Sequence, residues 1–140
     1  MAKGLNVQFI ERDIFELTPE FSGIFDYLLE HTCFCAIYLN LRVKYVELVS
    51  TILKPKGELI ALFWVHFRQG GLPFGSNIQE LKLLFEEHFE IISFEKATIS
   101  IPSRQNEEYL TRIIVKKYSR IHWIIDTMQF NLMYCHLILP

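Results

Sequence analysis

Apolar residues in the first half of the chain form two strand-like runs separated by a helical stripe. Ile24 to Glu30 and Glu58 to Trp64 are short runs rich in apolar residues, and the second is nearly unbroken. Between them, apolar residues recur at helical spacing from Leu41 to Leu53. Pro55 ends this helix, because the residue before a proline is disfavoured in the α region. A strand, a helix and a second apolar strand predict a βαβ unit with parallel strands.

The second half of the chain predicts another helix and two more strands. His66 to Asn77 is rich in glycine and predicts a loop. Ser76 and Gln79 at its end have the spacing of a helix capping box. Phe89 to Glu95 and Glu108 to Tyr118 predict strands, and the polar segment between them indicates an antiparallel pair.

The two ends of the chain show weaker patterns. Asn6 to Glu11 alternates in part and predicts a short strand before the βαβ unit. Residues 119–140 follow neither the helical nor the strand period, and we treat them as a divergent tail beyond a domain of residues 1–118. Three interpretations of the tail are open: an extension specific to this protein, the product of a disrupted reading frame, or a segment that covers a sheet edge.

Composition narrows the class of protein. A chain of 140 residues fits one domain, and its 51% hydrophobic content with twelve Phe supports a sizeable core. The net charge of −2, with scattered basic residues, argues against nucleic-acid binding. The chain shows no signal-peptide-like apolar segment and no long uncharged apolar stretch. We therefore expect a cytoplasmic protein without a membrane span.

The cysteines give no pattern of a metal or redox site. They are Cys33, Cys35 and Cys135, an odd number without a second pair. Cys33 and Cys35, with His31 nearby, are closer together than thiol ligands of a metal usually are. A redox protein would be expected to have a C-x-x-C motif. We expect buried thiols in a reducing compartment and no metal site.

Three motifs occur in the order found in one enzyme family. They are FDYLLEHTCFCAI at Phe25 to Ile37, ILKPKGELIALFW at Ile52 to Trp64, and GGLPFG at Gly70 to Gly75. ERDIFEL at Glu11 to Leu17 matches the segment after that family's third strand. From about Asn6 to Tyr118 the chain resembles the thiopurine S-methyltransferase-like group of S-adenosylmethionine-dependent methyltransferases, nearest the thiol/halide methyltransferase branch.

The resemblance implies an α/β class I, Rossmann-like methyltransferase fold. In that fold seven strands follow the order 3-2-1-4-5-7-6, with helices on both faces of the sheet. Residues 1–118 would be the C-terminal two-thirds of such a domain: a partial sheet with flanking helices, missing the first two strands and the glycine-rich cofactor loop. The strand at Ile24 to Glu30 would then be an open edge able to self-associate.

The resemblance also implies a cofactor, S-adenosylmethionine, and a set of site residues. Those expected to contact the cofactor are Asp13, Ile14, Glu30, His31 and Thr32. Those expected to face the methyl acceptor are Phe34, Gly71, Pro73 and Phe74. His31 is also the catalytic candidate, because a histidine beside a thiol acceptor can help it lose its proton.

Each of these residues has a plainer interpretation. Asp13 can cap a turn, which is a common use of aspartate. His31 can be a surface residue, and Phe34 can belong to the core. The glycines of the GGLPFG motif can serve only the turn.

Two functions remain open from the sequence. The first is an S-adenosylmethionine-dependent methyltransferase that acts on a small soft nucleophile, namely a thiol, thiopurine or halide. Its activity would be impaired by the missing cofactor half, with little or no cofactor binding by this chain alone. The alternative is a non-catalytic α/β remnant that binds a partner through its exposed sheet edge.

Overall fold

The computed structural model of the chain describes residues 7–116 and 132–136. Five strands of the described residues form one mixed sheet: β1 Phe25–His31, β2 Leu53–Trp64, β3 Phe89–Lys96, β4 Glu108–Val115 and β5 Leu132–His136. Their order across the sheet is β3-β4-β2-β1-β5. β1 runs parallel to both β2 and β5, whereas β4 runs antiparallel to β2 and β3.

Helices connect these strands. The α-helices of the described residues are α1 Thr18–Phe21, α2 Arg42–Ile52 and α3 Ile78–Phe85. Short 3-10 helices occur at Ile14–Glu16, Phe34–Ala36, Leu39–Leu41 and Pro102–Arg104. The predicted α/β class is therefore confirmed, and the two predicted helices are present as α2 and α3.

The predicted βαβ unit is present as β1, α2 and β2. β2 begins at Leu53, five residues before the predicted start at Glu58, because Leu53 already pairs with Phe25. The irregular register after Phe25 accommodates the chain around Pro55. A Cβ atom on Gly57 would lie 2.9 Å from the Lys54 carbonyl oxygen, so glycine is required at this close approach.

The start of α3 differs from the prediction by one residue. The N-cap is Asn77, whose side-chain oxygen accepts a hydrogen bond from the Glu80 N–H at 2.8 Å. The predicted capping box of Ser76 and Gln79 is therefore wrong. Serine and asparagine are both good N-caps, and here Asn77 has the extended backbone from which the cap is made.

The strand predicted at Asn6 to Glu11 is wrong over its described part. Residues 7–11 belong to no strand, and Val7 and Phe9 are exposed. A segment with partial alternation forms a strand only where a neighbouring strand supplies hydrogen-bond partners. No such partner in the described sheet pairs with these residues.

The expectation that β1 is an open edge is also wrong. β5 pairs with β1 in parallel, from Leu132 opposite Tyr27 to His136 opposite His31. It occupies the position that the resemblance assigns to the family's first strand. The interpretation of the tail as an edge cover is confirmed for residues 132–136. The other tail residues lie outside the described part of the chain, and the boundary at residue 118 stays a prediction.

One hydrophobic core joins the sheet to α2 and α3. Its buried side chains on the sheet include Leu28, Leu59, Ala61, Phe63 and Ile113, and those on the two helices include Val46, Val49, Leu81 and Phe85. The Phe34 ring lies between the sheet and both helices, 5.4 Å from Phe63 and 6.0 Å from Phe85 between ring centres. This packing fixes the turn that follows β1.

Candidate active site at the ends of β1 and β2

Glu30 organises the turn that follows β1. Its side chain is buried, with the residue 3% exposed. Its Oε1 atom accepts hydrogen bonds from the N–H groups of Cys33 at 2.9 Å and Phe34 at 2.8 Å. Thr32, which precedes Cys33, has a φ of +63°, in the left-handed region that residues other than glycine rarely adopt. The carboxylate thus satisfies the backbone of a sharp turn.

The second oxygen of the Glu30 carboxyl group, Oε2, takes no part in this turn. Glu30 Oε2 is buried and has no hydrogen-bond partner among the described residues. Burial raises the pKa of Glu30 from its ordinary value of 4.5 to about 7, although the two backbone hydrogen bonds lower it. A carboxyl group that titrates near neutral pH at a strand end is typical of a functional site.

Glu30 lines a small cavity at the carboxyl ends of β1 and β2. The cavity has a volume of about 10 Å³, which is room for about one water molecule. Its lining residues are Glu30, Thr32, Phe34, Cys35, Leu62, Phe63, Trp64 and Arg104. Ligands of open α/β sheets bind at this end of the strands.

Trp64, the last residue of β2, and Arg104, which precedes β4, also line the cavity. The Arg104 guanidinium carbon lies 4.2 Å from the centre of the Trp64 ring. Arg104 also pairs with Glu108 at 3.4 Å, and its side chain is 20% exposed. The Trp64 indole N–H donates to Glu107 at 2.9 Å. The cavity is therefore lined by one acidic and one basic residue, Glu30 and Arg104.

His66 lies two residues after Trp64 in the chain and packs against the Trp64 ring. Its ring centre lies 4.4 Å from that of Trp64, and its Nδ1 atom accepts from the Arg68 N–H at 3.2 Å. Its Nε2 atom is buried without a partner in the described chain. Burial, followed by the charge of Arg68, lowers the pKa of His66. His66 is therefore held towards its neutral form.

The GGLPFG loop is held against the turn after β1. The Phe74 N–H donates to the Cys35 carbonyl oxygen at 2.7 Å. The buried guanidinium of Arg42 donates to the Gly75 carbonyl oxygen at 3.0 Å and lies 4.5 Å from the centre of the Phe34 ring. The structure thus brings two acceptor-side candidates, Phe34 and Phe74, close to the same turn.

Of the four acceptor-side candidates, Phe34 lines the cavity, whereas Phe74, Gly71 and Pro73 of the loop do not. Gly71 is exposed and no atom lies within 4 Å of a Cβ built on it. Pro73 is half-buried and follows a cis peptide bond. Their contact with an acceptor stays a prediction.

The cofactor-side candidates are spread over two places. Asp13 is exposed and caps its own 3-10 turn, since its Oδ1 atom accepts from the Phe15 N–H at 2.9 Å. Ile14 is half-buried against the core. Thr32 lines the cavity with Glu30, whereas Asp13 and Ile14 do not.

His31 is the neighbour of Glu30 on β1. Successive side chains of a strand point to opposite faces of the sheet. His31 is half-buried and is not among the residues that line the cavity. The structure therefore separates the predicted catalytic residue from the buried carboxyl group of Glu30.

The residues around the cavity do not form a complete cofactor pocket. Sites for small molecules usually have volumes of roughly 300–1,000 Å³, and the described residues enclose about 10 Å³ beside Glu30. An adenosyl group does not fit in this space. Cys33 and Cys35 are buried thiols. Over residues 7–116 and 132–136, no group of three or more His, Cys, Asp and Glu side chains is placed to hold a metal ion.

Solved structures share this fold. A 1,6-didemethyltoxoflavin-N1-methyltransferase of Burkholderia thailandensis matches with a TM-score of 0.64 at 15% identity, over 78% of this chain and 51% of that one. A protein of Pyrococcus horikoshii matches with a TM-score of 0.62 at 20% identity, over 79% of this chain and 60% of that one. The fold is that of part of a class I methyltransferase, which confirms the predicted fold class.

Sequence comparisons identify the family. The chain belongs to the thiopurine S-methyltransferase (TPMT) family, whose profile matches residues 2–122. A probable thiol methyltransferase 2 of Arabidopsis thaliana is 34% identical over 116 residues, which cover 81% of this chain and 50% of the relative. Thiocyanate methyltransferase 1 of the same plant is 30% identical over 106 residues, covering 74% and 46%. The chain spans about half the length of these curated relatives.

The prediction of the family from its motifs is therefore confirmed. No helix in the part of the chain described by the structure is long and apolar enough to cross a membrane.

Proposed function

We propose that this chain carries the acceptor side of an S-adenosylmethionine-dependent S-methyltransferase. Its methyl acceptor is a small soft nucleophile: a thiol, a thiopurine, thiocyanate or a halide. The observation that carries the proposal is the buried Glu30 carboxyl group at a cavity between the ends of two parallel strands, in a chain of the TPMT family. Two relatives, a probable thiol methyltransferase and a thiocyanate methyltransferase, support the acceptor class.

The chemistry asked of the protein is modest. S-adenosylmethionine supplies an activated methyl group, so the protein mainly has to align the acceptor and exclude water. Arg42 helps to exclude water, because its hydrogen bonds to the carbonyl oxygens of Phe74 and Gly75 hold the loop over the turn after β1. We assign Asp13, Ile14, Thr32 and His31 to the cofactor side, and His31 remains a candidate for assisting the acceptor.

Cofactor binding by this chain alone is expected to be weak. The reason is the volume of about 10 Å³ beside Glu30, which leaves no room for adenosine without rearrangement. Titration calorimetry with S-adenosylmethionine measures the affinity directly. We expect a dissociation constant on the order of millimolar or weaker, and micromolar binding would contradict this expectation.

Methyl transfer tests the proposed function itself. The chain is incubated with millimolar S-adenosylmethionine and, separately, thiophenol, bisulfide and thiocyanate, and methylated products are detected by mass spectrometry. We expect slow formation of the thioether or of methyl thiocyanate. Asp13→Asn is expected to lower the rate, whereas Glu16→Gln, an exposed change in the same 3-10 turn, leaves it unchanged. Absence of product from every acceptor would overturn the proposal.

One observation favours the alternative of a non-catalytic remnant. β5 completes the pairing of β1 but is itself the last strand on its side of the described sheet. An edge strand offers backbone groups for pairing with a partner chain. A chain that transfers no methyl group yet binds a second protein through this edge would support the alternative.

A further inference from the structure

The geometry points to Glu30 as the group that accepts the proton of a thiol acceptor at the ends of β1 and β2. We infer that the sulfur of the acceptor enters the cavity beside Glu30 Oε2, a cavity that Arg104 also lines. This inference rests on the proposed S-methyltransferase function and assigns a catalytic residue to it.

The two oxygens of Glu30 have different surroundings. Oε1 is held by the N–H groups of Cys33 and Phe34, which fix the orientation of the carboxyl group. Oε2 is buried without a partner in the described chain, and Glu30 lines the cavity. A buried polar atom without a partner is rare, because its desolvation is not compensated. A hydrogen-bond donor supplied by a ligand would satisfy it.

The rest of the lining suits a thiol. Arg104 places a positive charge beside the cavity, where it stabilises a developing thiolate. The lining already contains one sulfur atom, Cys35 Sγ, which donates to the Thr32 carbonyl oxygen at 3.4 Å. Leu62 and Phe63 supply apolar surface that keeps water away. His31 does not line the cavity, so Glu30 is the better-placed proton acceptor.

The proton transfer needs no group other than the acceptor and Glu30. The S–H bond of the acceptor breaks, its proton binds Glu30 Oε2 as a new O–H bond, and the electron pair stays on the sulfur. A general base works best when its pKa is close to the operating pH. The Glu30 pKa of about 7 meets that condition and supports the geometric argument.

Thiocyanate provides a contrast, because it carries no proton to transfer. As an anion it is repelled by an ionised Glu30, so its binding requires the neutral carboxyl group. Besides Glu30, the titratable and charged residues that line the cavity are Cys35 on the 3-10 helix after β1 and Arg104 before β4. Glu108 on β4 pairs with Arg104 at 3.4 Å, and Arg42 on α2 interacts electrostatically with Cys35. Burial, followed by the charge of Glu30, raises the pKa of Cys35.

Binding of thiocyanate tests the inference without any cofactor. Carbon-13-labelled thiocyanate is titrated into the full chain between about pH 6 and pH 8 and followed by NMR. We expect wild-type affinity to fall as the pH rises through about 7, by up to about tenfold per pH unit above it. Glu30→Gln keeps an acceptor for both backbone N–H groups and removes the titration, so its affinity is expected to be independent of pH.

A competition between acceptors gives the second readout. With 2-mercaptoethanol, an alkyl thiol that keeps its proton at neutral pH, and thiocyanate together at one S-adenosylmethionine concentration, Glu30→Gln is expected to lower the ratio of thioether to methyl thiocyanate about 100-fold. Glu58→Gln is the matched control, since Glu58 is also buried but bonds to Arg112 nearer the start of β1. It is expected to leave the ratio unchanged.

The outcomes separate the two proposals. Absent or pH-independent binding of thiocyanate to the wild-type chain overturns the inference about Glu30, and so does equal pH dependence in Glu30→Gln. An unchanged product ratio in that variant overturns it as well. Absence of any methylated product counts against the proposed function, while the binding measurement still decides the role of Glu30.

Discussion

Arg42 and Glu80 form an ion pair of 2.7 Å that links the first residue of α2 to the first turn of α3. The same guanidinium group donates to the Gly75 carbonyl oxygen and lies over the Phe34 ring. Arg42 is 2% exposed, which is rare for an arginine unless it is paired. One buried cation therefore connects two helices, the GGLPFG loop and the turn after β1.

Loss of this cation is expected to be costly. Arg42→Met should lower the free energy of unfolding by about 2–4 kcal/mol, because the Gly75 carbonyl group and Glu80 lose their partner. The partial exposure of Glu80 reduces the cost relative to a fully buried pair. Urea denaturation measures the change.

Arg12→Met is the control for this prediction. Arg12 pairs with Glu20, but both side chains are exposed, at 40% and 57%. Exposed pairs contribute about 1 kcal/mol or less. Equal losses in the two variants would show that the Arg42 cluster has no special weight.

The pH dependence of stability provides a test of the Glu30 environment. The folded-state pKa of about 7 lies above the ordinary value of 4.5, so the folded chain holds this proton more tightly than the unfolded chain. Its contribution to stability is fully present below about pH 4.5 and is lost as the pH rises through about 7. The difference corresponds to on the order of 3 kcal/mol.

The corresponding measurement compares wild type with Glu30→Gln. The free energy of unfolding of the wild type, taken relative to the variant, is expected to fall between about pH 5 and pH 8. Urea denaturation at several pH values measures it. A constant difference over this range would mean that Glu30 titrates like an exposed carboxylate.

The cap of α3 yields a local prediction. Asn77→Ala should lower the free energy of unfolding by about 1 kcal/mol, because the Glu80 N–H loses its acceptor. Ser76→Ala is the comparison, since the Asn77 side chain makes the cap contact. A larger loss at Ser76 than at Asn77 would favour the cap predicted from the sequence.

Removal of β5 should change the association state. Deletion of residues 132–140 leaves the β1 edge without its partner strand, and an unpaired edge invites pairing with another chain. We expect concentration-dependent self-association in analytical ultracentrifugation. Deletion of residues 137–140 alone keeps β5 and serves as the control. A monomeric 132–140 deletion at high concentration would contradict the protective role of β5.

Local patterns predicted those elements whose formation depends on nearby residues. β1, α2 and β2 have distinct periodicities, and their short connections leave few alternatives. The N-cap of α3 was wrongly predicted at Ser76 instead of Asn77, because both residue types cap helices well. β5 was not predicted as a strand, since its pairing depends on a distant edge rather than on its own pattern.

The site residues likewise divide into those that local sequence predicts and those that depend on distant contacts. Glu30 was predicted from its motif and its place at the end of β1, but its bonds to the turn depend on three-dimensional geometry. Trp64 and Arg104 were missed as site residues. Trp64 ends a strand parallel to β1, and this position could have indicated it. Arg104 comes from the segment between β3 and β4, and no local signal places it beside Glu30.

The place of β5 has a consequence for synthesis of the chain. β5 follows β1 by about one hundred residues, and domains begin to fold from the N-terminal side while translation continues. β1 to β4 therefore leave the ribosome before the strand that completes their sheet. During this interval, nascent chains on the same messenger RNA can pair with one another through the open edge of β1. The time until β5 is synthesised therefore sets how long each chain is prone to aggregate.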